Sequence, residues 1–232
     1  MTLRPAVGNL RRETARYGGL LNLLAARFAS QRLARHPNVS APAGAVQIRH
    51  TTRWTLGPRG RIIIHPGGSL SLDLRGGAGF DWRLDRGLLQ VLDDTLEVFG
   101  AVVLGEGCRV FVKDDGVLRF TGSAVVAGNS RFFAHHLIEI GDDALISWDV
   151  TLRDADGHTI LQGGAAIVRA EQTVRLGRHV WIGQGVDILP GSEIGEGAMV
   201  GARSLVKGEV PPHALVAGVP QRILRSDIEW RA

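Results

Sequence analysis

Between His179 and Pro212 the chain reads HVWIGQGVDILPGSEIGEGAMVGARSLVKGEVPP, and an aliphatic residue returns in it every six positions. Neither common element has that period, since a helix buries residues at a spacing of about 3.6 and a strand at about 2. Leu176, Ile182, Ile188, Ile194, Val200 and Val206 keep the count without a slip, and Gly177, Gly183, Gly195 and Gly201 follow four of them. Four residues after each of the first five come Val180, Val186, Ser192, Ala198 and Ser204. A count of six fits a triangular prism in which each side is a short strand and three sides make one coil. The aliphatic side chain then points inward, the small residue also faces inward at the narrow corner, and the glycine is expected to permit the tight turn. A repeat this short marks a solenoid, in which each coil buries its apolar face against the next.

The same count reaches upstream. Ile140, Ile146 and Leu152 stand six apart, and Leu104 and Val110 lie whole multiples of six before Ile140. Between about Val46 and Phe133, runs such as GRIIIHPGGSLSLDL and GVLRFTGSAVVAG read as short strands between glycines, so degenerate coils are expected there. An ordinary antiparallel sheet is the alternative. At 164 and 170 the count meets Gly164 and Ala170 instead of large aliphatics. Residues 157–173 are therefore expected to leave the prism as a loop, with an additional degenerate coil as the competing reading; loops of that size inside a compact domain are usually functional.

Residues 1–40 have another character. LRRETARYGGLLNLLAARFASQRLARHP is rich in the helix formers Leu, Ala and Arg, with Leu20, Leu24 and Phe28 on one helical stripe. Gly18 and Gly19 are expected to split the segment into two helices, and Pro37 to end it. Arg11, Arg12, Arg16, Arg27, Arg32 and Arg35 suit a membrane-surface arm, although Arg27 falls close to the apolar stripe. The other expectation is an arm packed on the solenoid or on a neighbouring subunit. At the far end Pro211 and Pro212 cannot donate to a strand ladder, so residues 216–232 are expected to form a short helix or cap. The expected organisation is a basic helical arm (1–40), a β-solenoid (41–215) and a C-terminal cap (216–232).

Composition narrows the function classes. Glycine is frequent at 31 of 232 residues and aromatics are scarce at 6%, as narrow coils with tight corners require. The net charge of +4 is modest and compatible with an anionic cofactor, a phosphate-bearing substrate or an anionic membrane. No nucleic-acid partner is implied. Cys108 is the only cysteine, which excludes an intramolecular disulfide and agrees with a reducing cytoplasm. The first residues lack the apolar core of a secretion signal, and no apolar run reaches the roughly 18 residues needed to span a bilayer. A cytoplasmic protein, at most touching the inner face of a membrane, is the expectation.

The string VWIGQGVDILPGSEIGEGAMVGARSLV and the ending VAGVPQRILR resemble the hexapeptide-repeat acyltransferases, in particular the branch that acetylates sugars: galactoside, maltose and nodulation-factor acetyltransferases, and capsular or lipopolysaccharide O-acetyltransferases. The resemblance covers about Ile138 to Arg225. It implies a mainly β fold, a left-handed parallel β-helix, here with an N-terminal helical arm and a short C-terminal helix or cap. It also implies acetyl-CoA as acyl donor, a carbohydrate acceptor, and a homotrimer with active sites between subunits.

Carried residue by residue, the resemblance makes His158 in DADGH the general base, at the root of the expected loop. An imidazole with an ordinary pKa near about 6.5 suits that exchange of protons. Asp154 and Asp156 precede His158 by four and two residues and share a face with it if the segment is extended, so one carboxylate would orient the ring or bind acceptor hydroxyls; aspartates in turns are also common for backbone reasons. Asn129 in AGNSRFF matches an oxyanion-donating asparagine, with a corner asparagine as the alternative. For the cofactor groove the matching positions are Trp181, Gly183, Gln184, Gly201, Ala202, Lys207, Arg222 and Arg225. The two arginines would meet nucleotide phosphates. VKGEVP departs from the family, placing Lys207 one position early and putting its contact in doubt. Carbonic anhydrases of the same fold bind zinc through three histidines, but the residue five after His158 is Gly163, so no metal is expected; His135 and His136 are surface or acceptor-groove residues, His136 being the one assigned to the acceptor. The leading expectation is a sugar O-acetyltransferase working by direct transfer in a ternary complex. The alternatives are an N-acyltransferase acting on an amino sugar and a noncatalytic scaffold.

Overall fold

The computed structural model describes residues 20–72, 86–158, 160–167 and 172–231. Three sheets, parallel except for the last strand of the second, form the sides of a prism, with eight, nine and seven strands in the described residues. They are called A, B and C here, in the order the chain visits them. The chain takes one strand in each sheet before rising to the next coil. The first coil is Val39–Ser40, Val46–Ile48 and Arg53–Leu56, and the fifth is Leu137–Ile140, Ala144–Ile146 and Thr151–Arg153. The sixth is Val174–Leu176, Trp181–Ile182 and Asp187–Ile188, and the eighth ends on Leu215–Ala217. This is the left-handed parallel β-helix, and its interior is filled by inward aliphatics: Leu176, Ile182, Ile188, Ile194, Val200 and Val206 are all buried, as are Val180, Val186, Ser192, Ala198 and Ser204.

The early coils are regular but longer. Thr95 lies opposite Val117, a rise of 22 residues per coil, and Val117 opposite Leu137, a rise of 20. By the later coils Arg175 faces Glu193, a rise of 18. Four-residue strands bury two side chains where later two-residue strands bury one, as in Val110 with Val112, Leu118 with Phe120, and Phe132 with Ala134. Each pair slips the count by two, and three slips add up to one whole repeat. Leu104 and Val110 therefore share the phase of Ile140 although the count between them is broken.

The glycines of the repeat have a different cause from the one expected. Gly177, Gly183, Gly195 and Gly201 are not in the left-handed region. They are needed because the next coil passes too close: a Cβ on Gly183 would stand 2.6 Å from the backbone nitrogen of Ala202. The left-handed residue of each corner comes two positions later, at His179, Gly185, Gly197 and Arg203, and at Asn129, Asp143 and Asp149 in earlier coils.

Residues 157–173 contain an antiparallel hairpin, Ile160–Gln162 with Ala165–Ile167, that joins none of the three sheets. Ile138 pairs directly with Val174 and Thr151 with Asp187, so no coil intervenes and the segment is a protrusion.

At the N-terminal end, helix α1 (Leu20–Ala34) lies on the first coil. Leu23, Ala26 and Leu33 are its buried residues, and Ser30 Oγ donates to the Ala26 carbonyl at 2.8 Å while accepting from the Ile48 N–H at 2.9 Å. The expected stripe is corrected: Leu24 and Phe28 face solvent, because the solenoid end takes the opposite side. Gly18, Gly19 and the arm before them lie outside the described residues. The C-terminal segment is a strand where a short helix or cap was expected: Arg222–Arg225 pairs antiparallel with Leu215–Ala217 as the last strand of sheet B.

Candidate active site

His158 stands on the edge where the chain passes from sheet C to sheet A, between the fifth and sixth coils and one residue short of the hairpin. Its ring is exposed, and Nδ1 lies 3.1 Å from the Asp156 carbonyl oxygen. A ring that donates from Nδ1 to a carbonyl carries its lone pair on Nε2. The backbone, not a carboxylate, thus orients this imidazole.

Asp154 does something other than expected. Its carboxylate is buried and accepts the backbone N–H of His135 at 2.9 Å and of His136 at 2.8 Å, one coil below. It ties the root of the protrusion to the preceding corner and does not share a face with His158. Asp156 is exposed, 4.0 Å from the Arg153 guanidinium. His135 and His136 lie on the same edge, and His135 Nδ1 is 3.0 Å from Asp114. Among the described residues no group of three or more His, Cys, Asp or Glu is placed to hold a metal ion.

The edge between sheets B and C carries a second cluster. Asn129 occupies a left-handed corner position, accepts from Arg109 at 3.2 Å and donates to the Asp149 carboxylate, which also receives Gln184 at 3.3 Å. Arg109, Asn129, Asp149 and Gln184 form a polar ladder, and Gly183, Gly201 and Ala202 stack beside it in the later coils. Trp181 projects from the outer face of sheet B and is partly exposed. Lys207 is on the other edge, with its backbone held by the Gln221 amide at 3.2 and 2.8 Å. Arg222 and Arg225 are exposed on the last strand of sheet B. Four of the eight expected cofactor residues therefore line the edge between sheets B and C, three lie on strands of sheet B, and Lys207 shares the edge of His158.

Sequence reasoning missed Asp149, which joins Asn129 to Gln184, and the clasp at the third edge. There His179 Nδ1 meets Asp143 at 2.6 Å, and its Nε2 meets the Trp230 carbonyl at 3.1 Å. Trp230 donates back to the His179 carbonyl at 2.9 Å and stacks on its ring at 4.0 Å. The Asp143 carboxylate, then the Trp230 carbonyl, raise the His179 pKa above its ordinary value. The signal was present: the residue two past each corner glycine position recurs with the six-residue count, and Asp143, Asp149 and His179 all occupy it.

Residues 173–208 match the model of the bacterial transferase hexapeptide, described as six repeats. The chain is 31% identical over 130 residues to WbbJ of Escherichia coli (strain K12), a protein named for lipopolysaccharide biosynthesis O-acetyl transfer; the match covers 52% of this chain and 66% of WbbJ. It is 38% identical over 93 residues to the galactoside O-acetyltransferase of Escherichia coli (strain K12), covering 39% of this chain and 44% of that one. The chain thus spans less than two thirds of either relative's length. Among solved structures, the polySia-specific acetyltransferase NeuO superposes with a TM-score of 0.56 at 19% identity, covering 84% of this chain and 82% of NeuO. The N-acyltransferase AntD from Bacillus cereus, solved with dTDP and 3-hydroxybutyryl-CoA, gives 0.51 at 21%, covering 85% and 88%. The two structures speak for the fold. Coil, repeat and sequence together define a hexapeptide-repeat solenoid of the bacterial transferase type. Residues 173–208 carry the bacterial transferase hexapeptide repeat, and the relatives that the chain matches by sequence are named as acetyltransferases.

Proposed function

We propose that the chain transfers an acetyl group from acetyl-CoA to a hydroxyl of a sugar or polysaccharide precursor. The observation that carries this is His158: an exposed imidazole at the root of the protrusion, with Nδ1 against a backbone carbonyl, which leaves the lone pair for a proton on Nε2. Nε2 takes the proton of the acceptor hydroxyl as its oxygen attacks the thioester carbonyl. The CoA thiol leaves and receives the proton from the imidazolium. Such a base contributes about 10²–10⁴ in rate, and holding both reactants in line supplies much of the rest.

The donor would lie along the edge between sheets B and C, where Gly183, Gly201 and Ala202 leave the backbone open to a pantetheine arm. Trp181 would flank that groove, Gln184 would contact the arm, and Arg222 and Arg225 would meet the phosphates. Asn129 is the oxyanion donor in this reading, using the amide hydrogen not given to Asp149. His136 and Asp156 would face the acceptor. Because His158 and the donor edge are different edges of one prism, a complete site needs two copies, which supports a homotrimer with its sites between subunits.

The test is release of free CoA from acetyl-CoA with a panel of mono- and oligosaccharides, with a His158→Ala variant alongside. Acceptor-dependent release that falls by about 10²–10⁴ in the variant is expected. An alkali-labile product identifies an ester, and an alkali-stable one would move the acceptor to an amine. No release and no acetyl-CoA binding would overturn the transferase reading in favour of a scaffold.

A further inference from the structure

Helix α1 seats one side on the first coil of the solenoid and leaves the other side apolar. Leu21, Leu24 and Phe28, at helical spacings of three and four, are 83%, 52% and 70% exposed. Large apolar side chains gathered on one exposed face mark a contact surface. The charged residues of the helix are all cationic: Arg27 and Arg32 lie in LLNLLAARFASQRLA, which contains no acidic residue, and Arg35 follows directly. The Arg32 guanidinium sits 5.3 Å over the Trp54 ring, which holds that charge beside the helix.

Charge is partitioned in the same sense along the chain. Residues 1–36 contain seven arginines and one glutamate, a net +6. The remainder has 27 − 7 = 20 basic and 23 − 1 = 22 acidic residues, a net −2. The basic excess of the whole protein thus resides in the arm.

We propose that the exposed face of α1 docks on an anionic lipid bilayer, with Leu21, Leu24 and Phe28 entering the headgroup boundary and the arginines at the phosphates. The helix covers the first coil, so its free face looks out along the prism axis. The solenoid would then stand end-on to the membrane, with the hairpin after His158 four to five coils away. In any assembly with parallel prisms, every copy would present this face on the same side and the weak single contacts would add. A second copy fits the face poorly, since self-pairing would set arginine against arginine with no acid in the helix to separate them. The inference concerns binding and does not depend on the acyl-transfer reading.

Sedimentation of the full chain with vesicles of phosphatidylcholine alone, and of phosphatidylcholine with phosphatidylglycerol, tests it. The protein is expected to pellet with the anionic vesicles and not with the neutral ones, and to be released by salt. A Leu24→Glu/Phe28→Glu variant, altered only at exposed positions, is expected to keep its unfolding temperature and lose about tenfold or more in vesicle affinity. Binding that ignores lipid charge, or no binding to either vesicle, would overturn the proposal. So would a fully folded variant that binds as well as the parent. A fall in the mass of the assembly in the variant, measured by light scattering, would assign the face to a second copy and overturn it as well.

Discussion

The corner of a coil places two separate demands on two residues. One position must lack a Cβ because the next coil runs against it, and the position two later must hold a left-handed φ. Glycine meets the first demand, while Asn129, Asp143, Asp149, His179 and Arg203 meet the second. Gly141 illustrates the first: a Cβ there would collide with the Gly177 carbonyl, so Gly141→Ala is expected to cost about 1–3 kcal/mol in chemical denaturation. Asp154 is a second residue whose role is physical. Removing its carboxylate strands two backbone N–H groups, so Asp154→Ala should lower stability by about 1–3 kcal/mol. His158→Ala should leave stability unchanged and remove turnover. Measuring both quantities on both variants separates the support from the base; an Asp154→Ala protein of undiminished stability would contradict the assignment.

At the scale of elements, the hairpin and the C-terminal tail are additions to a scaffold that closes without them. Because the fifth coil pairs directly with the sixth, replacing the hairpin by a short linker is expected to preserve the strand spectrum and cooperative unfolding while abolishing acetyl transfer. The tail is held through His179, which donates to Asp143 and to the Trp230 carbonyl when both ring nitrogens carry hydrogen. Its folded pKa lies above the unfolded value of about 6.5. The clasp therefore contributes fully below about pH 6.5 and weakens as pH rises through the folded value. Corrected for the intrinsic base-catalysed rate, the protection of backbone amides around Trp230 against hydrogen exchange should fall over that rise, and His179→Gln should remove that fall. Protection that stays constant with pH in the parent protein would refute the clasp.

The whole molecule is a stack in which each coil touches mainly its neighbours, so its three outer faces can differ in character. Sheet A carries an outward row, Glu97, Arg119, Glu139, Arg175 and Glu193, that pairs opposite charges rung by rung. Arg119 reaches Glu97 at 2.7 Å and Glu139 at 3.2 Å, and Arg175 reaches Glu193 at 3.3 Å. Those rungs are paired within one chain, whereas the proposed site is divided between two edges and, in that reading, needs a second copy. Mixing His158→Ala with a groove-blocking Ala202→Trp variant, each inactive alone, is therefore expected to restore activity up to about a quarter of the parent value, the statistical share of sites that draw both intact edges. No restoration, with mixed oligomers shown to form, would place the whole site in one subunit.

The sequence by itself determined the prism. Six-residue spacing leaves one inward aliphatic per side, and no other regular structure satisfies Leu176 to Val206 without a slip. The break in the count showed where the chain leaves the coil, while His158 was singled out there by the family resemblance and not by the spacing. The N-terminal coils were less legible, since two-residue slips at Val112, Phe120 and Ala134 break the count while keeping the interior filled. Tertiary structure alone decided which face of α1 is buried, because Leu23 and Leu24 are equally apolar and only the end of the solenoid distinguishes them. It also decided that Asp154 is a strut and that Asn129 and His158 stand on different edges. Those facts depend on which residues of successive coils are brought side by side, and a repeat in sequence fixes the spacing of corners without fixing what each corner meets.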